Sequence, residues 1–295
     1  MDWALFLELA INGALAGLMY SLVALGIVLI YKSSSVPNLA QGALAMLGAY
    51  VVLAVFEGLK LPILVALPVA MAAMFGIGMG IERVALRRLA GRPLVMILMM
   101  TLALEIFLRA AALTTWGGTN RVLPLPISSD PLFIGPILIN RSYVAGGALA
   151  LLLFGFFVLF FRTRMGIVLR AISDDYTASW SVGISVERGV AVSWAMSAVV
   201  ATLAGALWGS IQGVDQSLSS LLLMGIAVAV LGGLDSIGGA VLAGILLGII
   251  QGVASGYLDR LVGGGSRELV VAATLVLTIL IRPHGLFGRE DIQRI

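Results

Sequence analysis

The side chains able to do chemistry are few in this chain, and their spacing suits holding helices better than breaking bonds. Glu105 and Arg109 stand four residues apart inside an apolar stretch, with the glutamate leading, the favourable order for an ion pair on one helix face. Ionisable groups at membrane depth are costly and invite a functional reading. For this pair mutual neutralisation is favoured over substrate contact and over a proton relay. Asn38 and Gln41 bracket a helix start, Asp174 and Asp175 are adjacent in a polar segment, and Asp235 lies in a glycine-rich turn. There is no cysteine, so thiol nucleophiles and Cys-ligated metals have no material, and the only histidine, His284, stands in the C-terminal tail. Gly-Lys never occurs, which excludes a Walker A phosphate loop. No catalytic residue, no metal site and no bound cofactor are expected.

Composition dictates the elements that must carry these residues. Of 295 residues, 60% are hydrophobic and 11% charged, with a mean hydropathy of +1.10, far from a water-soluble domain. Only Lys32 and Lys60 are lysines among the 18 basic residues, and the arginines cluster in short segments between apolar runs. That clustering reads as membrane topology and not as a nucleic-acid surface. The expected fold is all-α: a polytopic transmembrane bundle of about eight spans, one domain over 1–295, with broken or re-entrant helices among them. The start, Met1 to Glu8, lacks the basic region of a signal peptide and is expected to lead into a real span.

A hydrocarbon core about 30 Å thick needs roughly 20 helical residues. Apolar stretches near that length fall at 9–30, 39–56, 62–81, 94–113, 142–161, 189–211, 221–234, 240–257 and 268–281. The seventh and ninth are short for the bilayer. Arginine-rich segments at 82–92, at 162–188 and after 281 are expected on the cytoplasmic side. This puts the N-terminus outside, the C-terminus inside, and the proline-bearing segment 114–141 outside.

Four features stand out along these spans. Gly244, Gly248 and Gly252, Gly205 and Gly209, and the pairs Gly13/Gly17 and Gly76/Gly80 recur at one helix face, where small residues let backbones approach closely in lipid. Tight packing is the favoured reading over a sliding or pathway-lining role. The break at 31–42 joins Pro37 and Gly42, which oppose continuous helix, to polar Asn38 and Gln41. A gate or ligand element and an ordinary capped loop are both open there. Within 162–188, Ser173 is expected to cap a short helix whose first turn takes Asp174 and Asp175, and whose end is Gly183. Such a rigid exposed helix, carrying Thr177, Ala178 and Trp180, suits the docking of a cytosolic partner. The Glu105–Arg109 pair is the fourth feature.

Taken together these pieces resemble the permease subunits of branched-chain amino acid ABC importers, the LivH type. The resemblance rests on Ile11-Asn12-Gly13 through Gly26, Pro37-Asn38-Leu39-Ala40-Gln41-Gly42, Arg162-Thr163-Arg164-Met165-Gly166, Gly183-Ile184, Leu231 to Ala240, and Ile281-Arg282-Pro283-His284-Gly285-Leu286-Phe287-Gly288, in the family's order. It implies a membrane-spanning permease in the cell inner membrane, paired with a second, LivM-like permease, two cytosolic ATP-binding subunits that use ATP in trans, and an extracytoplasmic substrate-binding protein. In that frame 162–188 is the coupling loop, with Asp174, Asp175, Thr177, Ala178, Trp180 and Gly183 facing the ATPase. Asn12, Pro37, Asn38, Gln41, Gly42 and Asp235 would line the substrate pathway. Related permeases for urea, short amides or sugars share this framework, and a stand-alone secondary transporter is the rival of another class. An intramembrane hydrolase lacks its constellation.

Overall fold

The computed structural model describes residues 3–89, 91–127 and 130–288; nothing is described of the side chains of Ile134, Tyr176, Thr177 and Val262. Eleven helices are present among these residues: α1 Trp3–Ser34, α2 Gln41–Leu59, α3 Ile63–Ile81, α4 Leu94–Trp116, α5 Arg141–Phe160, α6 Arg164–Asp174, α7 Tyr176–Ser181, α8 Val186–Gln212, α9 Leu221–Gly232, α10 Ile237–Val262 and α11 Ser266–Ile281. Seven of the helical stretches are long and apolar enough to cross a membrane, the third running on from α3 to Leu89. The two segments that looked short in the sequence are short as helices too. α9 has 12 residues and α11 has 16, which at about 1.5 Å per residue gives roughly 18 and 24 Å. The chain is a polytopic helical bundle with one small exception. Leu132–Ile134 and Ile137–Ile139 form an antiparallel hairpin, β1 and β2, in the proline-bearing segment, where proline opposes regular helix.

The helices gather into two compact units. One comprises α1 up to Ala24, residues Ile127–Gly155 and the described chain from Leu223 on; the other comprises Leu25–Pro126 and Phe156–Leu222. In the first unit the glycine faces behave as their spacing implies. A Cβ on Gly244 would come within 2.6 Å of Gly17 O, and one on Gly248 within 2.6 Å of Gly17 Cα, with Gly13 O nearer still. A Cβ on Gly252 would meet Leu9 O at 2.7 Å. α1 and α10 therefore touch backbone to backbone, the arrangement by which helices associate in lipid without a hydrophobic driving force. In the second unit α8 packs against α2 and α3. A Cβ on Gly205 would run into Ala45 O, and one on Gly78 would lie 2.6 Å from Trp194 O. Gly209 faces Val214, 2.7 Å from where its Cβ would stand. Gly76 and Gly80 depart from the expectation, because a Cβ at either meets nothing within 4 Å. Spacing put them on one face; that face has no partner helix against it.

Large apolar side chains of α4 and α11, among them Met99, Phe107, Leu277 and Leu280, are exposed, as a lipid-facing surface requires. On α4, Arg109 Nη1 lies 3.6 Å from Glu105 Oε1. The pair neutralises itself within one helix.

Candidate functional site

The break between α1 and α2 closes into a buried polar knot inside the second unit. α1 ends at Ser34, Ser35 takes a left-handed backbone with φ of 55°, and α2 resumes at Gln41. Asn38 Oδ1 accepts from the Ala40 N–H at 2.9 Å, and Asn38 Nδ2 donates to Gln41 Oε1 at 3.0 Å. Gln41 Nε2 donates to Ser197 O on α8 at 3.4 Å. Ser197 Oγ stands 2.9 Å from Gly26 O and 2.8 Å from Gln41 Oε1, so its one hydrogen bridges α1 and α2. Asn38, Gln41 and Ser197 are all fully buried. Gly26 has no room for a Cβ beside the Gln41 amide, nor has Gly42 beside Ser219 O. Buried amides and hydroxyls must be paired, and these are. The polar atoms face each other across three helices, Pro37 stands half-buried beside them, and α2 opens at Ala40 with no side-chain cap.

Asn12 and Asp235 belong to the first unit and do different work. Asn12 Nδ2 donates to Leu138 O at 2.7 Å and to Glu8 O at 3.0 Å, while its Oδ1 accepts from the Asn140 N–H at 3.0 Å. It clamps β2 to α1. Beside it a small cavity of about 100 Å³ is lined by Glu8, Tyr20, Tyr143, Gln251 and Arg267. Asp235 is half-buried in the turn between α9 and α10. Gln251 shares the cavity of Asn12, and with about 1.5 Å of rise per residue Asp235 lies roughly 20 Å further along α10. At that turn two of the sequence motifs meet. Leu286 N–H donates to Leu231 O at 2.8 Å and Phe287 N–H to Gly232 O at 3.2 Å. Gly285, at φ of 73°, leaves no space for a side chain beside Val230 O. Four of the six pathway candidates share the break in the second unit, while Asn12 and Asp235 stand apart from each other within the first.

The segment 162–188 holds two helices where one was expected. Thr163 caps α6, its Oγ1 accepting from the Gly166 N–H at 3.4 Å. α6 buries Gly166, Leu169 and Ile172, three apart on one face. Ser173 is consequently spent inside the last turn of α6 and Asp174 ends that helix, so neither opens the next one. Asp175 is the cap of α7: it is extended, with φ of −153°, and its Oδ1 accepts from the Ala178 N–H at 2.9 Å. Ser and Asp cap about equally well; the choice fell to Asp175 because Thr163 had begun a helix upstream. α7 closes as expected at Gly183, whose φ is 82° and whose N–H donates to Trp180 O at 3.1 Å. Trp180 is 72% exposed, next to exposed Ala178 and Val182. Thr177 lies in α7, its side chain outside what the structure describes. The segment is tied back to the break, since Ser35 Oγ lies 3.3 Å from Ser173 O.

A further group was not anticipated from the sequence. Beyond α3 the chain makes one π-helical turn, Glu82–Leu86, in which the Arg87 N–H donates to Glu82 O. In an α-helix residues five apart point about 140° away from each other; the π-turn inserts a residue and stacks them. Glu82, with only 3% of its side chain exposed, thereby receives Arg87 Nη2 at 2.9 Å and Arg87 Nε at 3.3 Å. Arg87 Nη1 also reaches Glu187 Oε2 on α8 at 3.0 Å. The triad sits in a cleft of about 430 Å³ whose other walls include Ser33, Ile97, Ile172, Ser173 and Trp194. Nothing in an i,i+5 spacing signals such a pair; only the π-turn makes it.

Comparison with known proteins places this architecture. The family described as branched-chain amino acid transport system / permease component matches residues 9–281. The high-affinity branched-chain amino acid transport system permease protein BraD of Pseudomonas aeruginosa is 28% identical, covering 98% of both chains. LivH of Escherichia coli K12, with the same description, is also 28% identical over 98% of both. A probable branched-chain amino acid transport permease protein LivH of Methanocaldococcus jannaschii is 29% identical over 90% of this chain and 88% of its own.

Proposed function

Because this chain belongs to the branched-chain amino acid transport system / permease component family and is a membrane-spanning permease subunit, we propose that it forms half of the translocation pathway of an ATP-driven importer of branched-chain amino acids. The other half is a second, LivM-like permease; two cytosolic ATP-binding subunits and an extracytoplasmic binding protein complete the machine. The chain sits in the cell inner membrane with its N-terminus outside and its C-terminus in the cytosol, binds no cofactor itself and leaves ATP to its partners.

The observation that carries this reading is α7. A helix of six residues between two spans is too short to be stable alone, yet it is capped by Asp175, closed at Gly183 and anchored through α6. It leaves Trp180 exposed. A connector needs none of this, whereas a docking element for an ATPase needs all of it. Asp174, Asp175, Thr177, Ala178, Trp180 and Gly183 are the proposed coupling residues. Asn12, Pro37, Asn38, Gln41, Gly42 and Asp235 act on the pathway as supports: they fix the helix ends and turns around it, with the buried hydrogen bonds at Gln41 joining three helices.

The test is labelled uptake by the reconstituted complex of both permeases and both ATP-binding subunits, with the binding protein present, and leucine, urea and ribose compared side by side. ATP-dependent accumulation of leucine alone is expected. Preference for urea or ribose would overturn the substrate class, and leucine uptake undiminished when the ATPases are left out would overturn the ABC reading.

A further inference from the structure

The cleft around Glu82, Arg87 and Glu187 has a chemistry that its structural role does not use up. Two carboxylates share one guanidinium, which leaves the triad one negative charge in surplus. Three of the five guanidinium N–H groups are engaged, by Glu82 twice and Glu187 once, so two remain to donate. Glu187 is open to solvent, with 60% of its side chain exposed, whereas Glu82 is sealed. Around these groups the walls are apolar, with Ile97, Val190 and Trp194 among them, and the hydroxyls of Ser33 and Thr101 join the lining. Burying Glu82 costs several kcal/mol of desolvation that an apolar pair of similar size would avoid; tying α3 to α8 does not require it. A volume of about 430 Å³ falls in the range of small-molecule sites, ~300–1,000 Å³.

We propose that this cleft binds the imported product itself, a free α-amino acid with a branched apolar side chain, on the ATPase side of the membrane, and that its occupancy slows transport. The ammonium group meets the surplus carboxylate at Glu187, the carboxylate takes the two spare N–H groups of Arg87, and the aliphatic side chain lies against Val190 and Trp194. The link to transport is short. Ile172 and Ser173 of α6 form part of the same cleft, and Ser173 is held to the end of α1 through Ser35. A ligand wedged there favours the arrangement of α6 and α7 seen here over any other, which is all a ligand needs to shift an equilibrium. The inference rests on the reading of the chain as an amino acid importer.

It is tested on the purified complex of both permeases and both ATPases, without the binding protein. Equilibrium binding of labelled L-leucine is measured for the native complex, for Val190→Trp, which adds bulk to the cleft wall, and for Glu187→Gln, a substitution at an exposed side chain. Saturable binding is expected, weakened about tenfold or more in both variants, a loss of one well-made interaction or more. In proteoliposomes with the ATPases facing outwards, leucine added outside should lower ATP hydrolysis about fivefold, and less in either variant. No saturable binding, or equal binding in all three complexes, overturns the proposal. Uptake measured in parallel keeps the two readings apart: leucine import without cleft binding overturns this inference alone, and cleft binding without import overturns the importer reading alone.

Discussion

Replacing Gly248 by alanine should loosen the first unit, although alanine is the better helix former. The exchange gains about 1 kcal/mol of helix propensity. Against this, the new methyl carbon would stand 2.6 Å from Gly17 Cα, with Gly13 O closer, while carbon atoms in contact prefer about 3.5–4.0 Å. α1 and α10 must therefore separate by roughly 1 Å, and a gap of that size forfeits a quarter to a half of the dispersion energy of each atom pair along the contact. Neither side can yield by turning a side chain, because backbone meets backbone at Gly13, Gly17, Gly244 and Gly252 alike. Overpacking of this kind costs about 1–3 kcal/mol, and here the upper end applies, leaving a net loss of about 2 kcal/mol. Thermal unfolding of the detergent-solubilised protein, followed by fluorescence-detected gel filtration, reads the effect. Gly76→Ala is the matched control: it lies inside α3 with nothing within 4 Å of its Cβ, so it keeps the propensity gain without the clash and should be about 1 kcal/mol more stable than the native chain. Equal stability of Gly248→Ala and Gly76→Ala would refute the backbone contact.

Ser197→Ala should cost about 1–3 kcal/mol, because Gly26 O and Gln41 Oε1 lose a donor in a fully buried place; chemical denaturation in detergent measures it, and a neutral result would mean that the knot is not what joins α1, α2 and α8. Asp175→Ala should weaken α7 by about 0.5–2 kcal/mol, seen as faster backbone hydrogen exchange at Ala178 and its neighbours with the spans unchanged; Asp175→Asn should restore protection. Asn12→Leu removes the two hydrogen bonds by which Asn12 holds Leu138 and Asn140 to α1, and limited proteolysis should then cut near residues 134–140 while leaving the helices whole.

Nearly all of the span pattern was legible in the sequence, because length and apolarity are what a bilayer selects on. The stretches read at 94–113 and 142–161 differ from α4 and α5 by no more than a few residues at either end, and the shortness of α9 and α11 was visible beforehand. What escaped was decided by neighbours and not by local residue type. Gly76/Gly80 and Gly244/Gly248 have the same spacing, yet only the second pair has a helix laid against it. Ser173 and Asp175 are both good caps, and the start of α6 at Thr163 settled which one was used. The polar residues of the break gave no sign of their partner on α8, because Ser197 lies 156 residues beyond Gln41. The Glu82–Arg87 pair needed a π-turn that no periodicity announces.

In the proposed importer, energy enters this permease through α7. The most direct measurement follows leucine uptake and ATP hydrolysis together in proteoliposomes carrying the complete importer, with native chain or with Trp180→Ala. Trp180 is exposed and makes no packing core, so the variant should assemble normally, keep hydrolysing ATP, and lose most of its leucine uptake per ATP consumed. Unchanged uptake at unchanged hydrolysis in Trp180→Ala would contradict it.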